Sequence, residues 1–303
     1  MATPKSWLKA ARLRTLPLAL SGILMGSALA AFYGAFNLTV FVLAMVTATL
    51  IQVFSNFAND YGDFQKGTDN HLRLGPTRTL QGGEITPSEM KKGMWMVGGL
   101  SFILGVALVF VGTWQFSPIA FFSFIVLGIL ALIAAYFYTA GKRSYGYIGL
   151  GDLSVFLFFG LLPVIGVFFL HANYIETAIV LPSISMGLFS AGVLNLNNMR
   201  DMENDRHSGK ITLPVRIGAR NSRVYHIAII AWGWLATLIF TLHQQESRWQ
   251  WLFLLTFPLF LIDLVKIWRT ADARQLDPFL KRLALGTLAF TLLFCAGLLL
   301  SIR

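Results

Sequence analysis

Nine apolar runs, each close to the thickness of a bilayer's hydrocarbon core, restrict this chain to one kind of architecture. A spanning helix needs about 20 predominantly apolar residues. Such runs lie at roughly 15–34, 39–58, 94–114, 118–138, 148–170, 174–196, 224–242, 249–267 and 282–301. Little chain is left between them, so residues 1–303 read as a single all-α, polytopic membrane domain, its nine transmembrane helices set around a central cavity. Charged residues make up 13% of the sequence, against about 25% in soluble domains, which excludes the soluble globular classes. The one cysteine, Cys295, rules out an intrachain disulfide and a cysteine-based metal cluster. No small-residue cleavage site follows the first run, which therefore reads as a retained helix rather than a signal peptide.

Charge fixes the orientation. When the loops are numbered alternately inside and outside, all of the 24 Lys and Arg except Arg248 and Arg303 fall on one side. By the positive-inside rule that side is cytoplasmic, it carries the N-terminus, and the bias supports the count of nine spans. The net charge of +10 is thus accounted for without nucleic acid. It leaves a basic cytoplasmic face suited to anionic membrane lipid or an anionic substrate.

Two polar stretches interrupt the pattern at helix ends. Asn197, Asp201 and Asp205 recur at four-residue intervals after the sixth run, and Asn56, Asp60 and Asp63 stand at i, i+4 and i+7 at the end of the second. Each set shares one helical face. Both lie at the cytoplasmic end of an even-numbered span with an Asn four residues before the Asp, which suggests a four-helix internal repeat that brings the two ends face to face. Asp60, Asp63, Asp201 and Asp205, with no cysteine or paired histidine nearby, fit Mg²⁺ rather than zinc. Bases flank them, among which Arg73, Arg78 and Lys210 are candidates for binding phosphate oxygens. Acids that hold metal, interleaved with bases that hold phosphate, point to a Mg²⁺-diphosphate. Tyr138 and Lys142 sit four residues apart at the cytoplasmic end of the fourth span, a pairing also typical of interfacial anchors. Asp152, just inside the fifth span, is a functional candidate by its depth; a helix N-cap or a partner for Arg143 is the plainer role.

Taken together, NDYGD followed by Lys66, YTAGK, and NNMRDMENDRHSGKITLP resemble the UbiA superfamily of intramembrane aromatic prenyltransferases across essentially the whole chain. RTLPLA from Arg14, GPTR ending at Arg78, and YGYIGLGDLSVFLFFG from Tyr145 look most like the branch of menaquinone biosynthesis that prenylates 1,4-dihydroxy-2-naphthoate. The resemblance implies a polyprenyl diphosphate donor, Mg²⁺ as cofactor, and an aromatic hydroxy acid as acceptor, prenylated with loss of CO₂ and diphosphate. Carried over residue by residue, it places Asn56, Asp60 and Asp63 in the first motif and Asn197, Asp201 and Asp205 in the second. It gives Tyr138 and Lys142 to the middle motif at the diphosphate, and leaves Asp152 near where the acceptor ring would lie. Asp69 stands six residues after Asp63 rather than four, which argues against the 4-hydroxybenzoate branch. A cation-coupled transporter is the rival from another class; its carboxylates would lie near the bilayer midplane.

Overall fold

The computed structural model describes residues 2–70, 74–142, 144–244 and 247–302. Among these there is no strand, and nine helices are long and apolar enough to cross a membrane. A short amphipathic helix, α1 (Pro4–Ala11), precedes the first span and ends at Arg12, whose φ of 49° is left-handed. The first four spans are α2 (Leu16–Phe32), α3 (Leu38–Gln65), α4 (Pro87–Thr113) and α5 (Pro118–Phe137). Then follow α6 (Gly151–Ala172), α7 (Val180–Arg200), the short α8 (Met202–His207), α9 (Leu213–Gln244), α10 (Arg248–Arg269) and α11 (Asp277–Leu299).

Local chemistry sets most of these boundaries. Proline in the first turn opens α1, α2, α4, α5 and α11, where its missing N–H costs nothing. Thr86 and Glu89 form a reciprocal capping box at α4. The middle of α6, Phe156–Leu161, is a π-helical turn. Pro163 explains it: the residue has no N–H for the carbonyl four residues back, and its ring crowds that carbonyl, so the helix widens just ahead of it.

The sequence repeat has a structural counterpart. α3 packs along α4 as α7 packs along α9, while α11 closes the ring against α2 and α7. Gly22 and Gly26 let α2 approach α6 closely; a Cβ at Gly26 would stand 2.6 Å from the carbonyl oxygen of Val164. The second half is cemented by an aromatic cluster in which Phe189, Trp234, Phe253, Phe260 and Phe290 meet edge-on or tilted. The first half is looser: α5 has no buried residue and leans on α3 and α4. A cavity lies between α5 and the rest of the ring.

Two helices run further than their apolar stretches. α3 continues past residue 58 to Gln65 and so carries Asp60 and Asp63 on regular helix. α7 stops at Arg200, and Asp201 is the joint between α7 and α8. The expected face nevertheless survives, because the Asp201 amide bonds to the Asn197 carbonyl (3.0 Å) and the Asp205 amide to the Asp201 carbonyl (2.8 Å). The segment after Gly209 is helical from Leu213, with a break at Gly218 (φ 79°).

Candidate active site

The cavity holds about 600 Å³ and reaches from Arg12, Arg14, Arg78 and Lys210 at the basic face to Leu170 near the opposite end of α6. Its wall is apolar along α2, α4, α5 and α6. Polar groups gather at the basic rim, where Asn56, Asn59 and Asp63 of α3 face Asn197 and Asn198 of α7 and Lys210. The two motif-bearing helix ends therefore border one space.

The first stripe is held by cations and by a tyrosine that the sequence reading passed over. Asp60 is buried and paired with Arg12, and Arg78 Nε lies 3.5 Å from it. The left-handed turn at Arg12, rare for a residue other than glycine, is the local distortion that accompanies this pairing. Asn56 donates to the Ala11 carbonyl (2.9 Å) and the Thr15 hydroxyl (3.0 Å), tying α1 to α3. Asp63 accepts a hydrogen bond from the Tyr147 hydroxyl at 2.8 Å, which leaves the Thr68 hydroxyl to donate to the phenol oxygen at 2.5 Å. The Tyr147 ring lies 4.0 Å from Lys66 Nζ and 5.5 Å from Lys210 Nζ, and the Tyr147 carbonyl accepts from the Ile211 amide at 3.0 Å. One residue between α5 and α6 thus touches the surroundings of both stripes. Burial, then Asp63, push the Tyr147 phenol well above its ordinary range, keeping it a neutral donor. Burial lowers the Lys66 ammonium, and Asp63 opposes that.

The second stripe is organised by Arg200, which is 2% exposed. Its guanidinium donates to both Asp201 carboxylate oxygens (2.9 and 2.6 Å) and to Asn197 Oδ1 (2.9 Å), and it pairs with Asp277 at the start of α11. Arg200 is an internal fork rather than a free phosphate ligand. Asp205 lies 3.7 Å from Lys210 Nζ. Burial pulls the Lys210 ammonium down, but Asp205 and Asp63 outweigh it and hold the group above the ordinary lysine range.

Several residues singled out in the sequence fall elsewhere. Lys142 is exposed and is not among the cavity-lining residues. Its four-residue spacing from Tyr138 assumed continuous helix, yet α5 ends at Phe137 and the chain turns at Gly141 with φ 80°. Tyr138 does line the cavity, its ring edge-on to Tyr145. Asp152 faces α9, accepting from the Tyr225 hydroxyl at 3.3 Å, and does not line the cavity. It is not the N-cap of α6, a position Leu150 occupies; Arg143, the other partner considered, and Arg73 lie outside the described residues. Asp69 approaches Arg78 at 3.9 Å.

Among the described residues no three carboxylate, imidazole or thiol groups converge on one point, so these residues form no all-protein metal cage. The acidic and amide groups around the rim are oxygen donors only, the chemistry Mg²⁺ prefers. Mg²⁺ commonly keeps several waters and takes one or two carboxylates together with substrate phosphates. These residues fit an ion that arrives with a phosphorylated substrate.

Nine apolar helices among the described residues, with two acidic, base-flanked helix ends at the rim of an apolar cavity, suit an anionic molecule with a long apolar tail. The chain belongs to the UbiA prenyltransferase family, whose model matches residues 19–293. It is 43% identical to the 1,4-dihydroxy-2-naphthoate octaprenyltransferase of Escherichia coli strain K12, over 98% of this chain and 96% of that one. The fold is shared with a UbiA homologue from Aeropyrum pernix K1 (TM-score 0.69, 17% identity, covering 95% of this chain and 98% of the other). It is also shared with one from Archaeoglobus fulgidus solved with GPP and Mg²⁺ (TM-score 0.59, 17% identity, 95% and 99%).

Proposed function

We propose that this protein transfers a polyprenyl group from polyprenyl diphosphate to 1,4-dihydroxy-2-naphthoate, in the cytoplasmic membrane, giving demethylmenaquinol. The observation that carries the reading is the meeting of Asp63, Asn56 and Asn197 with Arg78 and Lys210 at the rim of one apolar cavity. The 43% identity to named relatives over almost the whole chain supports the acceptor. A transporter would need its carboxylates near the midplane, whereas these stand at one end of their helices.

The residues divide the work by their chemistry. Lys210, Arg78 and Arg12 would bind diphosphate oxygens and stabilise the charge that develops on the leaving group. Asp60, Asp63, Asp201 and Asp205 would hold Mg²⁺, which supplies Lewis-acid stabilisation of the same diphosphate. The C1–oxygen bond of the donor breaks, and the ring carbon that bears the carboxylate forms the new bond to C1. The pair released by loss of CO₂ restores the ring, and no net proton is exchanged. The apolar wall excludes water from the allylic centre. The tail runs down the cavity, and the loose seating of α5 offers it a way into the bilayer.

The test is turnover by purified protein in lipid vesicles with prenyl diphosphate and a panel of aromatic acids. Activity should require Mg²⁺, prefer 1,4-dihydroxy-2-naphthoate over 4-hydroxybenzoate, and fall by on the order of a thousandfold in Asp60→Ala or Asp201→Ala. Equal use of 4-hydroxybenzoate, or turnover that survives chelator, would overturn it.

A further inference from the structure

The glycines of the spans sort into two kinds by what a side chain would meet. At Gly112 a Cβ would stand 2.9 Å from the Leu170 carbonyl oxygen, and at Gly160 it would stand 2.4 Å from the Gly187 Cα; these glycines let helices touch. At Gly128 a Cβ would meet nothing within 4 Å, at Gly105 only Thr47 Cγ2 at 3.7 Å, and at Gly166 only Phe124 and Leu162 at 3.6 and 3.9 Å. All three of these line the cavity. They come from three different helices, α4, α5 and α6. The cavity-lining residues farthest from the basic face on those helices are Val109, Phe124 and Leu170, each four residues, or about one helical turn, beyond its glycine. Just past them, Gly112 brings α4 onto Leu170 and closes the space.

We infer that Gly105, Gly128 and Gly166 determine the length of prenyl chain the enzyme accepts, by holding open the last turn of the cavity. The inference rests on the prenyl-transfer reading above. Thr47, beside Gly105, lies thirteen residues from Asp60 along α3, about 20 Å at 1.5 Å per residue. One prenyl unit spans about one helical turn of 5.4 Å, so a two-unit tail ends short of this level and a tail of four or more units reaches it. A leucine at Gly128 would project into room that no other side chain uses, and one at Gly166 would meet only Phe124 and Leu162 at ordinary contact distance. The helix itself gains, since leucine is a far better helix former than glycine.

The experiment compares kcat/KM for two-, four- and eight-unit prenyl diphosphates in Gly128→Leu, Gly166→Leu and Gly128→Ala. Gly99→Leu serves as the control, since Gly99 is on α4, faces open space and does not line the cavity. The ratio of eight-unit to two-unit kcat/KM should fall on the order of tenfold to a hundredfold in the leucine variants and less in Gly128→Ala, while Gly99→Leu keeps the wild-type ratio. Two-unit turnover reports that fold and chemistry persist. An unchanged ratio in both leucine variants, or the same fall in Gly99→Leu, overturns the inference. Wild-type protein inert toward every prenyl donor overturns the function proposed above, and this inference with it.

Discussion

Removing one oxygen from Tyr147 separates positioning from packing. Tyr147→Phe keeps the ring that lies 4.0 Å from Lys66 and loses only the hydroxyl that donates to Asp63. Both residues are buried, at 9% and 8% exposure, so water does not readily replace the bond. A hydrogen bond to a charged group contributes about 1.5–3 kcal/mol, which corresponds to roughly tenfold to a hundredfold in rate or affinity. Because Asp63 is assigned to the metal-diphosphate, the loss should appear in kcat/KM for the prenyl donor and as a higher Mg²⁺ concentration for half-maximal rate. KM for the aromatic acceptor should stay within about twofold. Initial-rate kinetics in lipid vesicles, with donor, acceptor and Mg²⁺ varied in turn, measure all three. Wild-type donor kinetics, or an equal loss toward donor and acceptor, would refute the reasoning.

Lys210→Ala, which deletes the buried ammonium between Asp205 and Asp63, should lower donor kcat/KM on the order of a hundredfold, whereas Lys142→Ala should stay within about threefold. The reverse order would support the place at the diphosphate that the family resemblance implies for Lys142. Gly62→Ala should cost about 1–3 kcal/mol, read as a lower Tm, because its Cβ would stand 2.6 Å from the backbone of Thr139 and Ala140; an unchanged Tm would show that this loop yields freely. Asp152→Asn retains an acceptor for Tyr225, so acceptor KM and its pH profile should overlay wild type, and a raised acceptor KM would bring Asp152 into the site.

The spans were legible because hydrophobic runs of bilayer length have only one reading, and each observed helix takes in most of its run. The two acidic stripes were legible because i, i+4 spacing is preserved on α3 and, through the hydrogen bonds at Asp201 and Asp205, across the joint between α7 and α8. What escaped was whatever depends on non-helical backbone or on distant partners. For Lys142 only the one-turn spacing from Tyr138 failed, because α5 ends at Phe137 and the chain turns at Gly141. Arg12 is one of several bases ahead of the first span, and its left-handed turn onto Asp60 has no sequence signal. Tyr147 sits inside YGYIGLGD, but its bond to Asp63 joins residues 84 positions apart. Arg200 adjoins Asp201 in sequence, yet its fork became visible only with Asp277 brought in from α11.

The central claim is that the ends of α3 and α7 hold one metal-diphosphate between them. Crystals grown with Mn²⁺ in place of Mg²⁺ and a non-reactive prenyl thiodiphosphate would test it directly through the anomalous signal of the metal. The account predicts metal density at the basic rim of the cavity, in contact with the analogue's phosphate oxygens and with carboxylates from both the Asp60–Asp63 and the Asp201–Asp205 segments. Loss of that density in Asp201→Ala should accompany loss of activity. Metal bound to one segment alone, or an analogue whose diphosphate lies away from both, would contradict it.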